Sequence, residues 1–230
     1  MCVGLLDSEN SSPKDAAEIA ARVEKCGAKA ILVGGSTAVD QIELEEVVKT
    51  IKKAVTSPVI LFPGNVTGVA PSADAIFFSC LMNSENPYFI TEAQALGALA
   101  IRKHDIEAIP MAYLIIGDGG AAGFVGRARG IPPHKPGLAA MYALAAQYFG
   151  MRCLYLEAGS GADGRVSQAM IAAVRKVYEG TLIVGGGITS VEAAKAASKA
   201  GADVIVVGTM LETGNFEPLL TKICKAISHK

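Results

Sequence analysis

The stretch Arg152-Cys153-Leu154-Tyr155-Leu156-Glu157-Ala158-Gly159-Ser160-Gly161 contains the pattern on which the fold prediction rests. Its residues from Cys153 to Leu156 have the apolar character of a short strand that is buried on both faces. One carboxylate, that of Glu157, follows directly and precedes a glycine-serine-glycine turn. A charge at the end of a buried strand needs a polar site or a partner. The small residues after it leave backbone N–H groups free to approach an anion.

Apolar runs that end in small residues recur along the chain. The clearest are Val33-Gly34-Gly35-Ser36, Val184-Gly185-Gly186-Gly187-Ile188 and Val207-Gly208-Thr209. The predicted strands are Val3 to Leu6, Ala30 to Val33, Val59 to Phe62, Ala75 to Phe78, Ala108 to Ile116, Cys153 to Leu156, Leu182 to Val184 and Val204 to Val207. Because these short buried strands alternate with helical patterns, we predict an α/β fold, a (β/α)₈ TIM barrel. An open doubly wound sheet is the alternative, but glycine clusters after the seventh and eighth strands favour the barrel.

The helices are marked by their capping residues. Ser12, Asp40, Ser167 and Ser190 each precede an amphipathic pattern and are predicted N-caps. Thr91 to Gln94 read as a capping box for a helix that carries Leu96 and Leu99.

One crossover helix is predicted to be absent. Between Phe62 and Ala75 the chain contains two glycines and two prolines, which leave no room for a helix of ordinary length. The barrel should therefore lack its third crossover helix and have a gap in its outer layer.

Composition limits the classes of function. The chain has 230 residues, 51% hydrophobic and 19% charged, which suits one barrel domain over residues 1–230. Its longest apolar runs fall short of the roughly 18 residues of a membrane span. A net charge of −1 gives no electrostatic reason to expect binding to nucleic acid or to an anionic membrane. Five scattered cysteines indicate reduced thiols in the cytoplasm, and we expect no signal peptide.

The carboxyl ends of barrel strands open on one face, so residues far apart in sequence should meet there. Glu157 is the candidate general base, and its structural alternative is an ion pair with a neighbouring Arg or Lys. Asp7 and Ser36 could provide a sparse oxygen set for Mg²⁺, although Asp7 also fits a simple polar cap. Gly185 to Gly187 fit a phosphate cradle or a purely steric tight turn. The long connection Gly117 to Lys135 has the length of a lid or binding loop.

These motifs, together with Asn83-Ser84-Glu85-Asn86-Pro87-Tyr88, resemble those of the geranylgeranylglyceryl phosphate synthase family over nearly the whole chain. Members are prenyltransferases of archaeal ether lipid synthesis built on a modified barrel. The resemblance implies that geranylgeranyl diphosphate is joined to the 3-hydroxyl of sn-glycerol 1-phosphate with release of pyrophosphate. It also implies that Asp7 and Ser36 bind Mg²⁺ and that Glu157 accepts the hydroxyl proton. The implied glycerol 1-phosphate site consists of Tyr155, Leu156, Glu157, Ala158, Gly159, Ser160, Gly161, Gly186, Gly187, Gly208 and Thr209.

The sequence departs from the family pattern after its first aspartate. The family usually continues with a proline, an acid and a lysine, whereas Asp7 is followed by Ser8, Glu9 and Asn10. We hypothesise that Arg127 or Arg129 on the long loop compensates for the missing lysine at the diphosphate.

A long apolar groove is expected beside the third strand, because an isoprenoid tail needs one. The aromatic residues proposed to line it are Phe78, Tyr88, Phe89 and Tyr113. Phe89 is often a tryptophan in relatives, and the smaller ring would alter the preferred chain length if it forms the floor of the groove.

Other functions remain open at this point. They are a heptaprenylglyceryl phosphate synthase, a sugar-phosphate isomerase or synthase on the same barrel, and a flavin-phosphate binding protein. The apolar composition favours a homo-oligomer, and the lipid product suggests peripheral contact with a membrane.

Overall fold

The protein is a closed barrel of eight parallel strands, each hydrogen-bonded to its neighbours in sequence order, with β8 returning to β1. This computed structural model describes residues 1–35, 40–159 and 164–227. The strands are β1 (Cys2–Asp7), β2 (Ile31–Gly35), β3 (Val59–Pro63), β4 (Ala75–Leu81), β5 (Glu107–Ile115), β6 (Cys153–Glu157), β7 (Thr181–Gly185) and β8 (Val204–Val207). The predicted TIM barrel is confirmed.

The α-helices pack around the barrel and over its strand ends. They are α1 (Pro13–Lys25), α2 (Gln41–Ala54), α3 (Ala93–Lys103), α4 (Gly120–Val125), α5 (Pro136–Tyr148), α6 (Gln168–Arg175), α7 (Val191–Ala200) and α8 (Glu217–Ile227). The predicted N-caps are confirmed: side-chain oxygens of Ser12, Asp40, Ser167 and Ser190 accept backbone N–H groups of the first turns of α1, α2, α6 and α7. Each cap satisfies donors that a helix leaves unpaired at its start.

Two apolar layers stabilise the barrel. One lies inside it, where Leu32, Phe77 and Met111 meet residues of the remaining strands. The other lies between the strands and the outer helices and includes the buried stripe of α2, formed by Leu44, Val47, Val48 and Ile51. Burial on both faces explains why the strands read as continuous apolar runs.

The third crossover helix is absent, as predicted. From Pro63 to Ala75 the chain forms a loop that is fastened to α2. Gln41 Nε2 donates to Val69 O at 2.7 Å, and Ser72 Oγ donates to Glu45 Oε1 at 2.7 Å. Because a loop takes the place of a helix here, the outer layer of helices is interrupted between β3 and β4.

The predicted capping box at Thr91 to Gln94 is wrong. The chain enters α3 through a π-helical turn, Tyr88–Glu92, and Glu92 at the helix start makes no side-chain cap bond. Gln94 instead uses its side-chain amide to bond the carbonyls of Phe89 and Ser79. Leu96 and Leu99 of this helix face outward, 65% and 76% exposed.

The connection from Gly117 to Lys135 is more ordered than a simple loop, because it contains the short helix α4. The buried Asn83 fastens this connection to the barrel. Its Nδ2 donates to Ile115 O at 2.9 Å and Arg129 O at 3.0 Å, and its Oδ1 accepts from Ile115 N–H. The fold thereby fixes α4 above the strand ends.

Candidate active site

A cavity of about 330 Å³ opens at the carboxyl ends of the strands and extends toward the side without a crossover helix. Asp7, Glu157 and Thr209 line its polar end, together with Gly208 and Asn10. Asp7 ends β1, Glu157 ends β6, and Gly208 follows β8. The barrel thus brings residues from both ends of the sequence to one cavity.

Glu157 is a buried carboxylate without an ion-pair partner among the described residues. Only 6% of it is exposed. Its Oε1 accepts the Gly159 N–H at 2.7 Å, which holds the side chain against the turn that follows β6. Burial raises the pKa of Glu157, and the N–H groups of Gly159 and Ala158 and the Tyr155 hydroxyl oppose this rise. None of the ion pairs among the described residues includes Glu157. Its carboxylate is therefore not neutralised by a neighbouring cation and can receive a proton.

An aromatic cluster lies inside the barrel next to Glu157. Tyr155 lies 5.3 Å from Tyr113 and 5.1 Å from Phe62, measured between ring centroids. Burial raises the pKa of Tyr155, and the nearby Glu157 charge adds to the effect. The Tyr155 hydroxyl is buried beside the carboxylate, yet it does not reach hydrogen-bonding geometry with any group in the described ranges.

The glycine cluster after β7 packs directly against Glu157. Gly186 has φ +77°, where a side chain is strained, and an added Cβ would collide with Glu157 Oε1 and lie 2.7 Å from Gly159 N. Gly187 has φ +68°. Tight packing therefore explains part of this cluster, and its role as a phosphate cradle stays a prediction.

The other residues predicted to bind substrate differ in whether they reach the cavity. The side chains of Leu156 and Ala158 pack into the outer apolar layer, so only their backbone atoms could meet a ligand. Gly208 and Thr209 line the cavity itself. Ser36, Ser160 and Gly161 lie outside the described residues.

Asp7 has the surroundings of a cation ligand. It is half-buried, its Oδ1 accepts the Glu9 N–H at 3.0 Å, and burial followed by the charges of Glu9 and Glu212 raises its pKa. No cluster of three or more His, Cys, Asp or Glu side chains able to hold a metal occurs in the described ranges. Mg²⁺ needs only one or two protein oxygens when phosphates and water complete its shell. A divalent cation would relieve the crowding of negative charge, so Asp7 fits Mg²⁺.

The other end of the cavity is an apolar channel. Phe78, Phe89 and Tyr113 line it, as expected for the groove, and so do Val66 and Val69 of the loop that replaces the third crossover helix. Tyr88 instead donates its hydroxyl hydrogen to Asn65 Oδ1.

Several residues of the cavity were not expected from the sequence. Asn10, which stands in place of the family lysine, donates from Nδ2 to Glu212 Oε1 at 3.3 Å. Gln94 of α3 also lines the channel, as do Ala121, Ala122 and Val125 of α4. A helix of small apolar residues after a glycine turn was the signal that could have identified α4 as a channel wall.

Comparison with known proteins identifies the family. Residues 2–227 match the sequence model of the PcrB family. The chain belongs to the PcrB family. This PcrB-family chain is 60% identical to the geranylgeranylglyceryl phosphate synthase of Nitrosopumilus maritimus over 97% of its own length and 89% of the relative. It is 54% identical to the enzyme of the same name from Thermococcus kodakarensis, over 95% and 87% of the two chains.

A solved structure resembles the PcrB-family chain closely. The crystal structure of (S)-3-O-geranylgeranylglyceryl phosphate synthase from Thermoplasma acidophilum, in complex with its substrate sn-glycerol-1-phosphate, superposes with a TM-score of 0.97. It is 40% identical and covers 100% of this chain and 94% of that one. The family resemblance predicted from the motifs is confirmed.

Proposed function

We propose that this PcrB-family protein transfers a geranylgeranyl group from its diphosphate to the 3-hydroxyl of sn-glycerol 1-phosphate. One observation carries the proposal: Glu157, buried and without an ion pair in the described chain, stands where the polar rim meets an apolar channel. A reaction between a phosphorylated alcohol and a lipid diphosphate needs this combination. The relatives named geranylgeranylglyceryl phosphate synthase support it through their high identity.

The polar end of the cavity would hold glycerol 1-phosphate. Backbone N–H groups of Gly186, Gly187, Gly208 and Thr209 are the candidate phosphate donors, because parallel barrels bind phosphate after the seventh and eighth strands. The buried Tyr155 hydroxyl beside Glu157 offers a further polar group for the glycerol. The complex of the Thermoplasma acidophilum enzyme with sn-glycerol-1-phosphate supports this choice of substrate.

Asp7, together with Ser36, which follows β2 in the sequence, would hold Mg²⁺. When bound, this ion supplies positive charge that stabilises a departing diphosphate. Asp7 lines the same cavity as the apolar channel, so a cation held there would lie within reach of the diphosphate of a prenyl donor whose tail occupies the channel.

Glu157 would act as the general base. Its carboxylate takes the proton of the glycerol 3-hydroxyl while the hydroxyl oxygen forms a bond to C1 of the prenyl group. The bond between C1 and the diphosphate oxygen breaks, and its electron pair leaves with pyrophosphate. The raised pKa of Glu157 suits this role, because a base is most effective when its pKa lies closer to the working pH.

The apolar channel would bind the prenyl tail. Each methylene removed from water contributes about 0.8 kcal/mol to binding. The side without a crossover helix provides the space, bordered by Phe78, Phe89 and the loop residues Val66 and Val69. The relatives give no support to the isomerase and flavin-phosphate alternatives, and they carry the geranylgeranyl rather than the heptaprenyl name.

The proposal is tested by incubating the protein with Mg²⁺, sn-glycerol 1-phosphate and prenyl diphosphates from farnesyl to heptaprenyl length. We expect the ether and one equivalent of pyrophosphate, with the geranylgeranyl donor preferred. Absence of ether with every donor would refute the proposed activity, and preference for the heptaprenyl donor would favour the alternative.

The assembly is proposed to be a homo-oligomer. Most of the exposed large apolar side chains of the described residues belong to α3, α4 and α5 or directly follow α5: Leu96, Leu99, Phe124, Leu138, Met141, Tyr148 and Phe149. The sequence of α5 from Pro136 to Tyr148 contains no charged residue. Exposed apolar side chains that lie together mark interaction surfaces, so these helices are the candidate subunit interface. Light scattering of the purified protein tests the assembly, and a monomer at micromolar concentration would exclude it.

Contact with a membrane is expected only at the periphery. No described helix has the length and apolar character needed to cross a bilayer. Release of a lipid product to a membrane and a cytoplasmic location stay predictions, which sedimentation with lipid vesicles and cell fractionation would check.

A further inference from the structure

The helix α3 begins with a turn that is wider than an α-helical turn. The Ala93 N–H bonds Tyr88 O, so Tyr88–Glu92 form a π-helical turn. π turns are rare and are frequently found at functional sites. This turn carries Phe89, whose side chain lines the apolar channel, so its geometry sets the shape of the channel wall.

Gln94 fastens this wide turn to the barrel. Its Nε2 donates to Phe89 O at 3.2 Å and to Ser79 O at 2.5 Å, which joins the turn to β4. The other amide atom, Oε1, is buried and meets no donor among the described residues. A buried acceptor without a donor lowers stability. The amide oxygen therefore adds no stability here, and the favourable contribution of the Gln94 side-chain amide comes from the two hydrogen bonds that Nε2 donates.

Tyr88 fastens the turn on its other side. Its hydroxyl donates to Asn65 Oδ1 in the loop that replaces the third crossover helix. Its ring meets that of Phe89 edge to face, with centroids 5.2 Å apart and an interplanar angle of 88°. Phe89 is thus held between Asn65, through Tyr88, and Ser79, through Gln94.

We propose that Gln94 is a positioning residue for the prenyl tail, which acts by fixing the depth to which the Phe89 ring enters the channel. The substrate is the lipid diphosphate of the proposed function, on which this inference rests. Loss of the Nε2 bonds lets the turn tighten toward the α-helical geometry that its neighbours in α3 have. The Phe89 ring then moves, and the range of tail lengths that fits the channel changes.

A competition assay tests the proposal. The full-length protein is given sn-glycerol 1-phosphate, Mg²⁺ and an equimolar mixture of farnesyl, geranylgeranyl and farnesylgeranyl diphosphates, and the three ethers are quantified by mass spectrometry. Their ratio does not depend on the fraction of folded enzyme, so simple instability lowers all three products together.

Gln94→Leu removes both N–H groups of Nε2 and has a side chain of similar volume to glutamine. Gln94→Met also removes them and has a side chain of similar length. Both are measured, so that one carries the test if the other does not fold. Gln147→Leu is the matched control: Gln147 lies on α5 away from the channel, and its Oε1 also bonds the backbone, accepting the Glu179 N–H at 3.0 Å. The control should leave the product ratio unchanged.

We expect the ratio of the geranylgeranyl product to either neighbour to change at least threefold in the Gln94 variants. In a Phe89→Leu background, the same substitutions should change the ratio no further, because residues that act as one unit are not additive. Unchanged ratios, or equal changes in both backgrounds, would overturn the proposal. Complete loss of product in a folded Gln94 variant would also overturn it, because it would place Gln94 in the chemistry. Failure of the unsubstituted protein to form any ether would instead refute the proposed function.

Discussion

Replacing Glu157 by glutamine separates its chemistry from its packing. Glutamine keeps an oxygen that can accept the Gly159 N–H, which is bonded at 2.7 Å, but it loses the negative charge. A general base contributes about 10²–10⁴-fold to a rate. We therefore expect kcat to fall by about this factor, or about 3–5 kcal/mol of transition-state stabilisation at about 1.4 kcal/mol per decade.

The same substitution should stabilise the fold at neutral and alkaline pH. Burial raises the pKa of Glu157, so the folded state takes up a proton more readily than the unfolded state. Ionisation of the buried acid then costs stability above its folded pKa, and this cost disappears below the ordinary value of 4.5. The melting temperature of Glu157→Gln should exceed that of the parent at pH 8, and the two should converge near pH 4.

Calorimetry across this pH range and a pyrophosphate-release assay measure the two effects. Glu107→Gln is the control, because Glu107 is an exposed acid at the opposite end of a strand, where its Arg152 contact at 3.5 Å contributes little. A variant that keeps more than a tenth of the parental kcat would refute the role of Glu157 as base. A melting temperature that drops at pH 8 would refute the argument from burial.

The remaining predictions concern the rim of the cavity. Asn10→Lys should lower the KM for the prenyl diphosphate roughly two- to fivefold, the effect of an exposed charge pair worth about 0.4–1 kcal/mol; an unchanged KM would mean that Asn10 does not face the diphosphate. Gly186→Ala should reduce kcat at least tenfold and lower the melting temperature, because a Cβ would displace the Glu157 carboxylate and strain the backbone at φ +77°. Steady-state kinetics and calorimetry measure the two effects, and a variant with parental kcat and melting temperature would contradict this packing argument. Chelation by EDTA should abolish turnover and added Mg²⁺ should restore it, whereas activity that persists in EDTA would argue against Asp7 as a metal ligand.

Much of the fold was predictable because the local sequence patterns, such as helix caps and runs of glycine and proline, agreed with the barrel that the order of the strands predicts. Ser12 and Asp40 stand directly before amphipathic stretches, and their side chains do cap α1 and α2. The glycines and prolines after Phe62 excluded a helix, and the structure has none there. In each case the backbone chemistry of a few consecutive residues decided the outcome.

The features that could not be predicted depend on contacts between distant residues. Gln94 resembled the end of a capping box, but its amide bonds Ser79 of β4, which only the folded barrel brings near. Leu96 and Leu99 were placed on a helix correctly, but their spacing alone could not show that they face outward. For the candidate site, the order of the strands predicted which residues share a rim, whereas the bond from Asn10 to Glu212 required coordinates.

The pairing of β1 with β8 affects how the chain reaches its folded state. Cys2 to Gly4 lie beside Ile205 to Val207, so β1, which precedes the other seven strands of the barrel, finds its second neighbour only after β8 has been synthesised. Until then β1 and the most recently formed strand each present an unpaired edge of backbone N–H and C=O groups, which can join other chains. Pairing across so long a sequence separation is slow. A nascent chain that stalls before β8 is therefore expected to depend on chaperones to avoid aggregation.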